Sequence, residues 1–148
     1  MSEPLYTTDI LRLAATIPHQ RRLDDPHGSA EWRSPICGSR VTVDIDLDEE
    51  GRVAKVGLLV RACALGQASS SLLGTGVLGK TPTELAIARD ALRAWLAGEA
   101  EMPDWPGLVL LDRARGYPAR HASIRLAFEA AAAAAAEAEA KARAQADG

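Results

Sequence analysis

The sequence lacks both an excess of basic residues and a long apolar run. It has 17 lysines and arginines against 20 aspartates and glutamates, which gives a formal net charge of −3 at pH 7. General nucleic-acid binding depends on clustered Lys and Arg, and the sequence has no such stripe. No segment approaches the roughly 20 apolar residues that a membrane-spanning helix needs. These absences argue against nucleic acid and membrane as partners.

Cysteine is scarce as well, with only Cys37 and Cys63 in the chain. Glu3 and Asp9 stand where a secretion signal carries basic residues, and Arg12 interrupts the apolar segment behind them. We therefore expect a cytoplasmic protein, in which a stable disulfide is the less favoured use of two thiols. Two uses of the cysteines then remain: they bind a metal or cluster or carry sulfur, or they are inert thiols buried in the core.

What the chain does contain is enough aliphatic residues for one modest core. Its 148 residues fit a single domain, and 47% of them are hydrophobic. Of the 29 alanines, 12 lie between Ala130 and Ala146, so this percentage overstates the apolar content elsewhere. We predict a folded domain over residues 1–130. Residues 131–148 are predicted to form an alanine-rich helical extension that has no apolar stripe to bury and frays at its end.

Three strands are predicted, of which the last two form a hairpin: Glu31–Ser34, Arg40–Asp48 and Val53–Ala62. In the second, apolar and polar residues alternate, which is the pattern of a half-buried strand. Asp44 and Asp46 fall on its polar side, and we expect both to form a solvated face. Gly51 suits the turn between the hairpin strands, because glycine accepts a positive φ.

The other apolar segments predict helices. These are Leu5–Ile17, a small-residue helix over Gly66–Leu78, a helix capped by Thr81 and ended by Gly98, a short one containing Leu108–Leu111, and a long one from Ala119 into the alanines. The third has the clearest start, because Pro82 suits the first helical position and Glu84 completes a capping box with Thr81. We therefore predict an α+β fold, a small antiparallel sheet packed with several helices.

The hairpin is predicted to bring the two cysteines to one end of the sheet. Arg40 begins the outgoing strand just after Cys37, and Arg61 ends the returning strand just before Cys63. These strand ends are neighbours in an antiparallel pair. Cys63 also opens a helix, where the positive end of the helix dipole favours a thiolate. Free cysteine is among the most buried residue types, but two that converge on irregular, glycine-flanked backbone favour a function.

Two thiolates do not complete a tetrahedral metal site, which takes four ligands. His121, at the start of the last helix, is the best further candidate, with a solvated surface histidine beside Arg120 as the commoner alternative. His19 and His27 lie in a polar loop and are predicted to be surface residues. A catalytic Cys–His pair ranks low, because no oxyanion-hole motif accompanies it. We predict no catalytic residues.

Two motifs around the cysteines carry a likeness to a known family. One is Pro35-Ile-Cys37-Gly38 before an alternating strand and a Glu-Gly turn; the other is Cys63-Ala-Leu-Gly-Gln-Ala-Ser-Ser-Ser-Leu72. With the 25 residues between the cysteines, this pattern resembles the iron–sulfur cluster assembly scaffolds, the IscU/SufU/NifU N-terminal family. The resemblance covers roughly residues 5 to 130. It implies a compact α+β fold, a [2Fe–2S] cluster or zinc at one site, and a cysteine desulfurase as sulfur donor.

Two positions depart from that family's pattern. Ser39 replaces the aspartate of the family's Cys-Gly-Asp motif, and Ser123 falls where a third cysteine belongs. A serine hydroxyl is a much poorer ligand than a thiolate for soft metals and iron–sulfur clusters. The leading prediction is a non-catalytic, scaffold-like protein that binds a [2Fe–2S] cluster, iron or zinc through Cys37 and Cys63, with His121 or Ser123 near enough to contribute.

Two alternatives stay open. A degenerate paralogue would keep the fold as a partner-binding module without a cluster of its own, and a small redox or relay protein would carry sulfur on Cys63. The predicted partners are a cysteine desulfurase and, beyond it, recipient apo-proteins or a chaperone. A homodimer that shares the cluster is a further option.

Overall fold

A computed structural model describes residues 5–35 and 38–147. Its elements are α1 (Thr8–Ala15), β1 (Gly28–Arg33), β2 (Arg40–Leu47), β3 (Val53–Arg61), α2 (Ala64–Gly76), α3 (Pro82–Leu96), two 3₁₀ segments (Leu108–Gly116 and Pro118–Arg120) and α4 (His121–Asp147). The predicted α+β class is confirmed. Within the described residues, no helix has the length and apolar character needed to cross a membrane.

The three strands form one antiparallel sheet in the order β1-β2-β3. The β2–β3 hairpin lies where the alternation predicted it, and Gly51 in its turn has a φ of 79°. The short strand predicted at Glu31–Ser34 is present but begins earlier, at Gly28. Its first three residues, Gly-Ser-Ala, are small and carry no strand pattern, which is why the sequence did not predict them as part of it.

One face of the sheet carries the core. Val41, Val43 and Ile45 of β2 are fully buried on this inner face, which α4 covers together with α2. α1 packs on α2, and α3 packs on α4. The small residues of α2 allow close helix contact, and Ser69 Oγ donates to the Ile124 carbonyl of α4 at 2.6 Å. The serines of α2 thus join the two helices that frame the sheet.

Side-chain caps set the starts of two helices. α1 is shorter than the predicted Leu5–Ile17, because the Thr7 hydroxyl accepts from Ile10 N at 3.2 Å and caps the helix there. α3 begins as predicted. Thr81 Oγ accepts from Glu84 N at 3.1 Å, and the Glu84 carboxylate accepts from Thr81 N at 3.0 Å.

The segment between α3 and α4 is more irregular than predicted. The short helix placed at Leu108–Leu111 belongs to a longer 3₁₀ segment that ends at Gly116. A second 3₁₀ turn follows, in which Arg120 N donates to the Tyr117 carbonyl at 2.8 Å. α4 therefore begins at His121, not at the predicted Ala119.

The alanine segment packs on the sheet, so the expectation that it has no face to bury is wrong. Ala131, Ala134 and Ala135 are 0% exposed and belong to the main core cluster. They recur at helical spacing and face β1 and β2. Hydrophobic periodicity did not reveal this stripe, because alanine occupies both the buried and the exposed positions of the segment. The core therefore continues past position 130.

Asp44 is buried, so its predicted solvated position is wrong. The loop after α1 passes over the outer face of the sheet at Gly57, where an added Cβ would overlap the Arg21 carbonyl oxygen. The Asp44 carboxylate accepts from Arg22 Nε at 2.7 Å, Leu23 N at 2.9 Å and Ser29 Oγ at 2.6 Å. Burial alone would raise its pKa, but these hydrogen bonds outweigh burial and lower it.

Asp44→Asn is expected to lower the free energy of unfolding by about 2–3 kcal/mol at neutral pH, because charge-assisted bonds become neutral ones inside the protein. A lowered folded-state pKa gives stability above the unfolded-state pKa of about 3.9, which is lost as the pH falls through the folded value. Urea unfolding at pH 7 and pH 3 should show the difference from wild type shrinking in acid. Asp46→Asn is the matched control with a small effect at both pH values, because this carboxylate accepts from His27 N and lies 3.8 Å from His27 Nε2, both near the exposed end of the sheet.

Candidate functional site

Cys63 lies at the junction of β3 and α2, where it is the N-cap residue of the helix. Its side chain makes no capping bond, and its carbonyl accepts from Gln67 N at 2.9 Å. The thiol is half-buried and donates to Ser123 Oγ at 3.4 Å. The first turn of α4 therefore brings Ser123 to the residue that the sequence singled out most strongly.

Two buried serines extend this contact. Ser123 Oγ donates to Ser39 Oγ at 3.2 Å, and the two residues are 2% and 4% exposed. Ser39 closes a turn between β1 and β2, since its carbonyl accepts from Ser34 N at 2.8 Å. Gly38 donates to the Ser34 carbonyl and has a φ of 72°, a conformation suited to glycine. The Cys63 site thus contains a thiol and two hydroxyls: Cys63, Ser123 and Ser39.

The other predicted ligands contribute less to this geometry. Cys37 lies outside the described residues. His121 Nε2 is 3.0 Å from the Arg115 carbonyl, and the assignment of its ring proton depends on that bond. His27, which was predicted to be a surface residue and not a ligand, is exposed at the opposite end of the sheet, where its Nδ1 accepts from Leu47 N. Over residues 5–35 and 38–147, no group of three or more His, Cys, Asp and Glu side chains is arranged to hold a metal ion.

A row of three arginines crosses the sheet end beside the site. Arg33 of β1 is paired with Arg40 of β2, which is paired in turn with Arg61 of β3. Arg40 and Arg61 were predicted only as strand ends, and the charged group that they form was not predicted from the sequence. The register of the predicted hairpin was the signal that could have found it, because directly paired residues point to the same face.

Two solved structures share this architecture. The N-terminal part of a nitrogen-fixing NifU-like protein from Brucella abortus superposes with a TM-score of 0.87 and 37% identity, over 93% of this chain and 96% of that chain. A putative iron–sulfur cluster assembly scaffold protein for the SUF system, from Fervidobacterium islandicum AW-1, superposes with a TM-score of 0.79 and 20% identity, over 88% and 96%. The second likeness shows the fold alone. The fold is thus that of the small α+β scaffold domains.

The family follows from the sequence itself. The profile of the NifU-like N-terminal domain matches residues 5–144. The chain belongs to this family of iron–sulfur cluster assembly scaffolds. A search of curated proteins finds no match.

Proposed function

We propose that this chain carries an iron–sulfur cluster, or the iron from which one is built, as cargo on two protein thiolates, Cys37 and Cys63. The observation that supports this most is the Cys63–Ser123–Ser39 contact chain. It joins the start of α2, the start of α4 and the turn next to Cys37, which are the three places where the family resemblance expects ligands. Zinc is the other metal that this proposal allows, because thiolates bind it well.

The donor set fits cargo that is held loosely. Thiolates are the ligands that iron–sulfur clusters and zinc prefer, whereas serine hydroxyls bind both poorly. A hydroxyl can rotate, so Ser123 can donate to the Cys63 sulfur once that sulfur has lost its proton. Such a bond would stabilise the thiolate without adding a strong ligand. His121 would contribute through Nδ1, since Nε2 faces the Arg115 carbonyl.

Anaerobic reconstitution with iron, sulfide and thiol tests this proposal. We expect bound iron and acid-labile sulfide with visible charge-transfer bands, and we expect Cys37→Ala and Cys63→Ala each to lower both contents at least about tenfold, as loss of a primary thiolate ligand should. His121→Ala in the same assay measures that residue's contribution. Circular dichroism checks that each variant is folded. Unchanged metal content in either cysteine variant would overturn the assignment.

A second function, a partner-binding module without cargo, is favoured by one specific observation. Ser39 and Ser123 are the two positions that depart from the family's pattern, and both are buried and hydrogen-bonded to each other. Their hydroxyls therefore have hydrogen-bond partners in the absence of metal. This function predicts that a cysteine desulfurase binds the Cys37→Ala/Cys63→Ala double variant as tightly as wild type. Absence of binding by the wild-type protein would exclude it.

A sulfur relay on Cys63 is separable from both functions. After incubation with desulfurase and cysteine, mass spectrometry should find an added sulfur atom on Cys63 if this thiol accepts a persulfide. An unmodified thiol would remove the relay from consideration. Recipient apo-proteins, a chaperone, a homodimer and a cytoplasmic location remain predictions that accompany the scaffold function.

A further inference from the structure

The arginine row, Arg33, Arg40 and Arg61, is an exposed cationic group on the outer face of the sheet. Arg33 and Arg61 are exposed and Arg40 is partly exposed. Neighbouring strands lie about 4.8 Å apart, so the α-carbons of the two outer arginines are separated by about 10 Å. Three guanidinium groups in one row make a surface suited to carboxylates, which they can bind in a bidentate manner.

The charge of the row is only partly balanced. Glu31 lies 3.2 Å from Arg33 and 4.0 Å from Arg40, and it is shared between them. Arg61 forms no ion pair with any residue in the described ranges 5–35 and 38–147. The nearest exposed neighbour of Arg61 on this face is Leu59, whose apolar side chain is 41% exposed. An anion would therefore meet a net positive surface here.

The row lies within reach of the proposed cargo. Arg61 precedes Cys63 by two residues, which limits the separation of their α-carbons to about 7 Å. Arg40 directly follows Ser39, the last residue of the contact chain described above. An extended tripeptide spans about 10 Å. The Cys63 thiol faces α4, whereas the arginines lie on the outer face. A molecule of that size would therefore pass around the end of the sheet to place a sulfur atom at Cys63 and a carboxylate at the arginines.

We propose that the arginine row binds the carboxylates of a small anionic thiol, whose sulfur fills a coordination position that the protein leaves open on its cargo. This rests on the proposed function, in which two protein thiolates, even with His121 as a third ligand, leave at least one of four positions of the metal without a protein ligand. The thiol loses its proton to solvent and binds the metal as thiolate, so no electrons are transferred. A peptide-sized thiol with a carboxylate at each end is about as long as the arginine row, which spans about 10 Å.

Electrostatics favours such a thiol over a neutral one. A metal or cluster surrounded by thiolates tends to carry negative charge, which repels an anionic thiol unless cations lie nearby. The three arginines offset this repulsion by pairing with the carboxylates of the external thiol. A neutral thiol could supply the same sulfur ligand but would gain nothing from Arg33, Arg40 and Arg61.

A titration of the metal-free protein tests the binding site by itself. The probe is S-methylglutathione, which has both carboxylates but no thiol, so it cannot act as a thiolate ligand or form a mixed disulfide. We expect saturable shifts of backbone amide NMR signals at and around Arg40 and Arg61, and about tenfold weaker binding by Arg40→Ser/Arg61→Ser. The control is Arg12→Ser/Arg143→Ser, which removes two exposed arginines elsewhere and should bind the probe as wild type does.

Three outcomes would overturn the proposal: absence of saturable binding, equal binding by the Arg40→Ser/Arg61→Ser variant, or equal binding of the diethyl ester of the probe. A second arm compares iron retained after reconstitution with glutathione and with 2-mercaptoethanol. We expect more iron with glutathione, and no such advantage in Arg40→Ser/Arg61→Ser. If neither thiol yields bound iron, the proposed function fails, and the metal-free titration still decides whether the arginine row binds carboxylates.

Discussion

Ser123→Cys is expected to raise the iron and acid-labile sulfide retained after reconstitution by about tenfold, because it places a third thiolate beside Cys63. Ser123 Oγ already lies 3.4 Å from Cys63 Sγ, so the new sulfur starts within the contact distance of the existing one. Space for it is favourable on the α2 side, where Gly66 has no side chain to oppose Ser123. The measurement is metal and sulfide analysis with visible spectra, before and after challenge with a chelator.

Ser71→Cys is the matched control for that gain. Ser71 is also a buried serine, 1% exposed, and its hydroxyl donates to the Thr16 carbonyl on the α1 side of α2. A thiol at this position adds the same chemistry to the protein without adding it to the Cys63 site. Equal iron in both variants would mean that any extra thiol binds metal non-specifically. A folded Ser123→Cys protein with no more iron than wild type would remove Ser123 from the site.

Local signals predicted the fold where one element determines its own structure. The β2–β3 hairpin follows from strict alternation and a glycine turn, and α3 follows from a capping box whose two hydrogen bonds are both present. Asp44 shows where such signals fail. Alternation assigns it to the polar side of β2, but a loop distant in sequence covers that side and supplies its hydrogen-bond donors. Tertiary packing of this kind leaves no periodic trace.

The site was predictable in part, for a related reason. Antiparallel pairing alone brings the residues after β1 and β3 to one end of the sheet, and it predicts that Cys63 lies there. Ser123 comes from α4, far along the chain, and only the likeness to a family placed it beside Cys63. The contact between their side chains agrees with that placement. The register of the predicted hairpin pairs Arg40 with Arg61, and only the addition of Arg33 to the row needed the register of β1, which the sequence predicted as a shorter strand.

The packing of α4 on β1 is the feature that sequence periodicity indicated least. The closest contact between the two elements is at Gly28. A Cβ at Gly28 would overlap the Ala134 carbonyl oxygen and lie 2.8 Å from Ala138 N. Both atoms belong to the helix backbone, so no change of side-chain rotamer relieves the overlap. The helix would have to move away from the strand and expose the fully buried Ala131 and Ala135.

Gly28→Ala is therefore expected to lower the free energy of unfolding by about 3–4 kcal/mol, or to prevent folding, as severe overpacking does. Urea unfolding followed by circular dichroism measures this. Gly51→Ala is the control, because Gly51 has a positive φ of 79° with open space around it, and its backbone strain should cost about 1–2 kcal/mol. The larger loss at Gly28 would show that contact with α4, and not backbone strain, sets the cost. Equal stability of the two variants would mean that the alanine helix does not rest on β1.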